Sequence, residues 1–144
     1  MLAISVIFLS AFLLFQIQPI IAKMLLPYFG GGVAVWTSCM FFFQGFLLLG
    51  YGYAHWLNQK FSFTNQLKIH ATLLVSALLT TLTDFNISSV DTDASTPLMS
   101  VLITLTISIG LPYFAVSTTG PLLQRWLSLT KLNQFPYRLY ALSN

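Results

Sequence analysis

Apart from Lys23, no charged side chain precedes Lys60 in this chain. Residues 1–22 and 24–59 are free of Asp, Glu, Lys and Arg, and Leu2 to Phe15 is almost unbroken Leu, Ile, Phe, Val and Ala. A water-soluble chain of 144 residues cannot hide such runs in one core, because a domain of that size keeps a large surface that needs polar cover. Charged residues make up 6% of the chain and apolar residues 56%, with a mean hydropathy of +0.80. An ordinary soluble domain is about 25% charged. The solvent for most of this surface is therefore read as lipid, and the fold class as all-α, a polytopic transmembrane helix bundle.

A spanning helix needs about 20 residues. The apolar stretches predict four spans, at about 2–26, 34–57, 66–83 and 97–116, within a single transmembrane domain over 1–144, and the start of a fifth from Tyr137. The first is read as a span and not as a cleaved leader, since it lacks a basic opening segment and has Gln16, Gln18 and Lys23 where small residues would mark cleavage. Gly30, Gly31 and Gly32 make a turn after Pro27, and Trp36 and Trp56 fall near the ends of the second span, where indole rings prefer the headgroup layer. The third span is short: Ile69 to Thr83 covers about 22 Å. It is completed by Gln66 and a snorkelling Lys68. The polar loop 84–96 holds all three acidic residues, and Pro97 suits the first turn of the fourth span.

The basic residues set an orientation. Lys60 and Lys68 follow span two, and Arg125, Lys131 and Arg138 follow span four, whereas the loop after span three has no Lys or Arg. The positive-inside rule then puts the amino terminus in the cytoplasm and the acidic loop outside. Lys23, near the outer end of span one, is the exception. A sequon, Asn86-Ile87-Ser88, lies in the outward loop, but three residues match easily by chance.

Polar side chains inside spans are costly and mark either helix contacts or wet cavities. Gln16 and Lys23 are seven apart, hence about 20° apart around a helix, and Gln44, Tyr51 and His55 form a second stripe. Together with Gln18 these residues compose a candidate intramembrane polar site between spans one and two; the competing reading is structural hydrogen bonding between helices, with Lys23 and His55 at the interfaces. Pro19 and Pro112 free the carbonyls of Phe15 and Ser108, breaking two helices as in many transporter sites and in plain bundles alike. Gly45 and Gly52 are read as a close-packing surface for another helix.

Catalytic signals are missing from the sequence. No carboxylate lies within a span, Cys39 is alone, and His55 and His70 lack the further ligands a metal requires. Asp91-Thr92-Asp93 lacks the turn glycine and closing Glu of a calcium loop, and Gly30 to Gly32 lacks the order of a phosphate-binding loop. Six Lys and Arg are too few for a nucleic-acid face. The expectation is no cofactor, no metal and no self-sufficient enzyme.

Three blocks nevertheless resemble a family. The first runs through Phe8-Leu9-Ser10-Ala11-Phe12-Leu13-Leu14-Phe15, Gln18-Pro19 and Lys23-Met24-Leu25-Leu26-Pro27. The second comprises Gly30-Gly31, Ala34-Val35-Trp36, Phe42-Phe43-Gln44 and Gly50-Tyr51-Gly52-Tyr53-Ala54-His55. The third is Ser117-Thr118-Thr119-Gly120-Pro121-Leu122-Leu123-Gln124-Arg125-Trp126, followed by Pro136-Tyr137-Arg138-Leu139-Tyr140-Ala141-Leu142-Ser143-Asn144. The chain thereby resembles the amino-terminal membrane part of bacterial membrane-bound spermidine synthase-like proteins, described as fused major-facilitator-like and spermidine-synthase proteins. The resemblance implies an inner-membrane location, further transmembrane helices, and a soluble aminopropyltransferase-like domain or subunit that carries the catalytic residues, none of which is in this chain. It also implies that the chain is a fragment of a longer or split protein. The alternative function is a transporter, or transporter subunit, for a small polar or cationic solute.

Overall fold

A computed structural model describes residues 2–82 and 97–129 of the chain. The described residues are helical throughout apart from short turns, with no strand among them. Helix α1 is Leu2–Phe29, α2 is Val33–Lys60, α3 is Phe63–Thr81, α4 is Pro97–Leu105 and α5 is Leu111–Ser128, with a π-helical segment, Thr106–Gly110, joining the last two. Three helices are long and apolar enough to cross a membrane: Ile4–Phe29, Val33–Lys60 and the joined Leu98–Ser128. Helix α3 is not among them, because Asn65, Gln66, Lys68 and His70 crowd its first half.

The helices differ from expectation mostly at proline. Helix α1 continues through Pro19 and Pro27, and α5 through Pro121, well past the predicted end near Val116. Pro112 does disturb its helix: it has no N–H for the carbonyl of Ser108, and the preceding turn widens into the π segment. Gly30 ends α1 with φ +81°, a left-handed conformation that favours glycine, and Gly32 opens α2. The predicted loop 84–96 and the start of a fifth span lie outside the described residues.

Contacts fix the helix directions. Gln18 meets Tyr113 while Ile7 shares a cavity wall with Gln124, so α1 and α5 are antiparallel. Phe43 packs on Tyr113, Gly50 on Ser117 and Leu57 with Leu122, so α2 and α5 run in parallel. Gln66 meets Trp126 and His70 meets Thr119, which makes α3 antiparallel to α5. Near the α1–α2 turn the core is dry and aromatic: Leu25, Val35, Cys39, Phe42, Phe43, Val101, Leu105 and Tyr113 are all buried together.

Many large apolar residues lie outside, and several small hydroxyls lie inside. Phe8, Phe12, Phe15, Phe41, Leu48, Val75, Leu78 and Ile107 are exposed, whereas Ser10, Ser38, Ser100, Thr104, Ser117, Thr118 and Thr119 are buried. That distribution suits lipid, where burial of large side chains brings no hydrophobic gain and small residues let backbones approach. Several of the inner hydroxyls donate to carbonyls of their own helix, as Ser38 does to Ala34, Thr104 to Ser100 and Thr118 to Ala115, at 2.7–2.8 Å.

Candidate functional site

A cavity of about 380 Å³ lies where α1, α2 and α5 meet. Its α1 wall is Ile7, Ser10, Ala11, Leu14, Phe15 and Gln18, a stripe of steps three and four apart that stays on one helix face. Helix α2 contributes Gln44, Leu47 and Tyr51, and α5 contributes Val116, Ser117, Gly120, Pro121 and Gln124. At Ser117, one of these wall residues, α2 and α5 approach closely. Any Cβ on Gly50 would overlap the Ser117 hydroxyl and lie 3.1 Å from Ser117 Cβ, so glycine there sets the approach of the two helices.

The polar groups fall into two states. Gln18 Nε2 donates to the Tyr113 hydroxyl at 2.8 Å, and Tyr113 is itself buried against Phe42 and Phe43, so this end of the cavity is held rigidly. Gln44 and Gln124 line the cavity and have no hydrogen-bond partner among the described residues. Amides and hydroxyls of this kind both donate and accept, and they recognise a polar solute without fixing its charge.

A second pocket, about 520 Å³, adjoins the first and shares Tyr51 and Pro121 with it. Ala54, His55, Asn58, Gln59 and Arg125 complete its walls. Gln59 Nε2 and His55 Nε2 are 2.8 Å apart, and Asn58 donates to the carbonyl of Ala54.

The structure thus brings Gln18, Gln44 and Tyr51 together and puts His55 in the adjoining pocket. Gln16 and Lys23 line neither pocket and are exposed. They do share a face, but Gln16 lies about 200° around the helix from Gln18. Gly45 and Gly52 have nothing nearby, and the closely packed glycine of α2 is Gly50. Ser10, Ser117, Gln124, Asn58, Gln59 and Arg125 are additions to the sequence-derived set. The spacing of seven between Ser117 and Gln124 carried a signal for the α5 wall.

No family model, curated protein or solved structure matches the chain. The site therefore rests on its own geometry. The described residues include no Asp or Glu, and among them no three His, Cys, Asp or Glu side chains converge as metal ligands do. What the described groups can do is bind and orient a solute by hydrogen bonds.

A different polar cluster joins α3 to α5. Trp126 Nε1 donates to Gln66 Oε1 at 2.7 Å, Gln66 Nε2 donates to the carbonyl of Phe61 at 2.8 Å, and His70 Nε2 lies 3.2 Å from Thr119 Oγ1. Thr119 gives its own proton to the carbonyl of Ala115, so its oxygen accepts from His70. This cluster reads as a helix–helix contact.

Proposed function

We propose that the chain is the membrane-embedded amino-terminal part of a spermidine synthase-like protein, and that its three-helix cavity holds a small polar solute for chemistry performed by an aminopropyltransferase-like domain or subunit outside this chain. The observation that carries the proposal is the convergence of the three sequence blocks. Ser10, Phe15 and Gln18 come from the first, Gln44 and Tyr51 from the second, and Ser117, Gly120 and Gln124 from the third, yet all face one cavity. Blocks more than 90 residues apart need not meet in a helical anchor that serves only to span.

On this reading the bundle has four spans in a bacterial inner membrane. Helix α3, 19 residues long, reaches about 28 Å at 1.5 Å per residue, close to the roughly 30 Å hydrocarbon core. It also packs antiparallel on α5, as a returning span would. The distribution of Lys and Arg favours a cytoplasmic amino terminus. The test is the coding DNA beyond Asn144 and the neighbouring gene. A methyltransferase-like glycine motif is expected there, and its absence from both would sink the proposal.

A transporter is the second reading, supported by the π segment ahead of Pro112, since broken helices line many transport sites. Uptake into vesicles separates the two. Transport lowered by Gln44→Ala but not by Lys23→Ala supports it, because only Gln44 lines the cavity. Equal uptake with and without the protein for neutral and cationic solutes rejects it.

A further inference from the structure

The pocket of His55, Asn58, Gln59 and Arg125 lies at the end of the bundle where α2 and α5 both finish and α3 begins. Its chemistry differs from that of the cavity between α1, α2 and α5, because it has a formal charge. Arg125 has no acidic partner among the described residues, which contain no Asp or Glu. A guanidinium has five donors in a planar fork and no acceptor, and it matches two oxygens of a phosphate or carboxylate side by side. Around it the His55–Gln59 pair and Asn58 supply further hydrogen-bonding groups within one pocket.

The surrounding field decides the sign of the ligand. The carboxyl-terminal ends of α2 and α5 each bring about half a negative charge, and the amino-terminal end of α3 about half a positive one. Two full positive charges, on Lys60 and Arg125, belong to the last turns of α2 and α5 and outweigh that balance. A cationic ligand would find no described carboxylate, and an apolar one would leave the Arg125 fork unpaired.

We propose that this pocket binds a phosphate-type oxyanion, with the Arg125 guanidinium as its principal ligand and Asn58, Gln59 and His55 as hydrogen-bonding partners. The inference is independent of the resemblance to spermidine synthase-like proteins. The anion has two sources with the same chemistry, a phospholipid headgroup or a soluble phosphate.

The full chain in neutral detergent is titrated with phosphatidylglycerol, phosphatidylcholine or inorganic phosphate and read by native mass spectrometry. Saturable one-to-one binding is expected, weakened about tenfold or more by Arg125→Gln and left near wild type by Lys60→Gln. Such binding of phosphatidylglycerol identifies a lipid site, and of inorganic phosphate a solute site. Binding that does not saturate, that survives Arg125→Gln, or that falls as far with Lys60→Gln overturns the proposal, the last because only diffuse charge is then at work. If Arg125→Gln does not fold, Gln59→Leu takes its place. It must weaken the same binding severalfold, and unchanged binding overturns the proposal equally.

Discussion

Helix α5 presents polar side chains on two faces, and their surroundings differ. Toward α3, Trp126 and Thr119 are matched by Gln66 and His70. Toward α1 and α2, Ser117 and Gln124 border a cavity, and Gln124 has no partner among the described residues. Paired polar groups hold helices together, whereas unpaired groups around a void remain free for a solute. The matching is not complete even on the α3 face, since His70 Nδ1 is buried without a partner among the described residues. Composition alone does not separate these faces, because both combine a small hydroxyl with a Gln, Thr119 with Gln66 and Ser117 with Gln124.

Gly50 sets the approach of α2 and α5, so the largest effect should come from it. Gly50→Leu forces a side chain into Ser117 and should destabilise the bundle by about 3 kcal/mol or more, with Gly50→Ala costing about 1–3 kcal/mol. The unfolding midpoint in mixed micelles measures both. A Gly50→Leu protein with a wild-type midpoint would mean that α2 and α5 do not meet there.

Next in size is the paired face. Gln66→Leu leaves Trp126 Nε1 without its acceptor and should cost about 1–1.7 kcal/mol, near the upper end for polar contacts between membrane helices. A double-mutant cycle with Trp126→Phe should show coupling of about 0.5 kcal/mol or more. Additive losses would place Gln66 among the groups that merely face lipid or water.

Across α5 the prediction reverses. Gln44→Leu and Gln124→Leu should change stability by no more than about 0.5 kcal/mol, since neither side chain has a described partner to lose. Losses as large as that of Gln66→Leu, measured in the same micelles, would turn the cavity wall into another helix contact.

The sequence made the helices legible because charge-free runs leave few choices. The starts of α1, α2 and α4 lie within about two residues of expectation, as is usual for helix ends. Less legible was where a helix continues through proline. Pro27 and Pro121 remain inside helices, and only Pro112, after the flexible Gly110, accompanies a π segment. A rule based on the missing N–H treats all three alike. Of the six candidate site residues (five read from spacing, together with Gln18), Gln18, Gln44 and Tyr51 share one cavity and His55 borders the next. Gln16 and Lys23 do not, because a spacing of seven finds residues that share a face without saying which face turns inward. The stripe of Ser10, Leu14 and Gln18 turns toward α2 and α5, whereas Phe8 and Phe12 are exposed away from the cavity.

A contrast in sign belongs to a pair of tyrosines that the comparison sets against each other. Tyr113 accepts from Gln18, whereas the Tyr53 hydroxyl is buried beside Phe114 without a partner among the described residues. Tyr113→Phe should cost about 1 kcal/mol, the usual net contribution of one such bond. Removing an unpaired buried hydroxyl instead relieves a desolvation penalty, so Tyr53→Phe should be neutral or stabilise by up to about 0.5 kcal/mol. Parallel unfolding curves of the two variants check the sign. Equal losses would mean that Tyr53 does find an acceptor when the whole chain is in its bilayer, and the boundary between paired and unpaired groups would then have to be redrawn on the α2 side of α5.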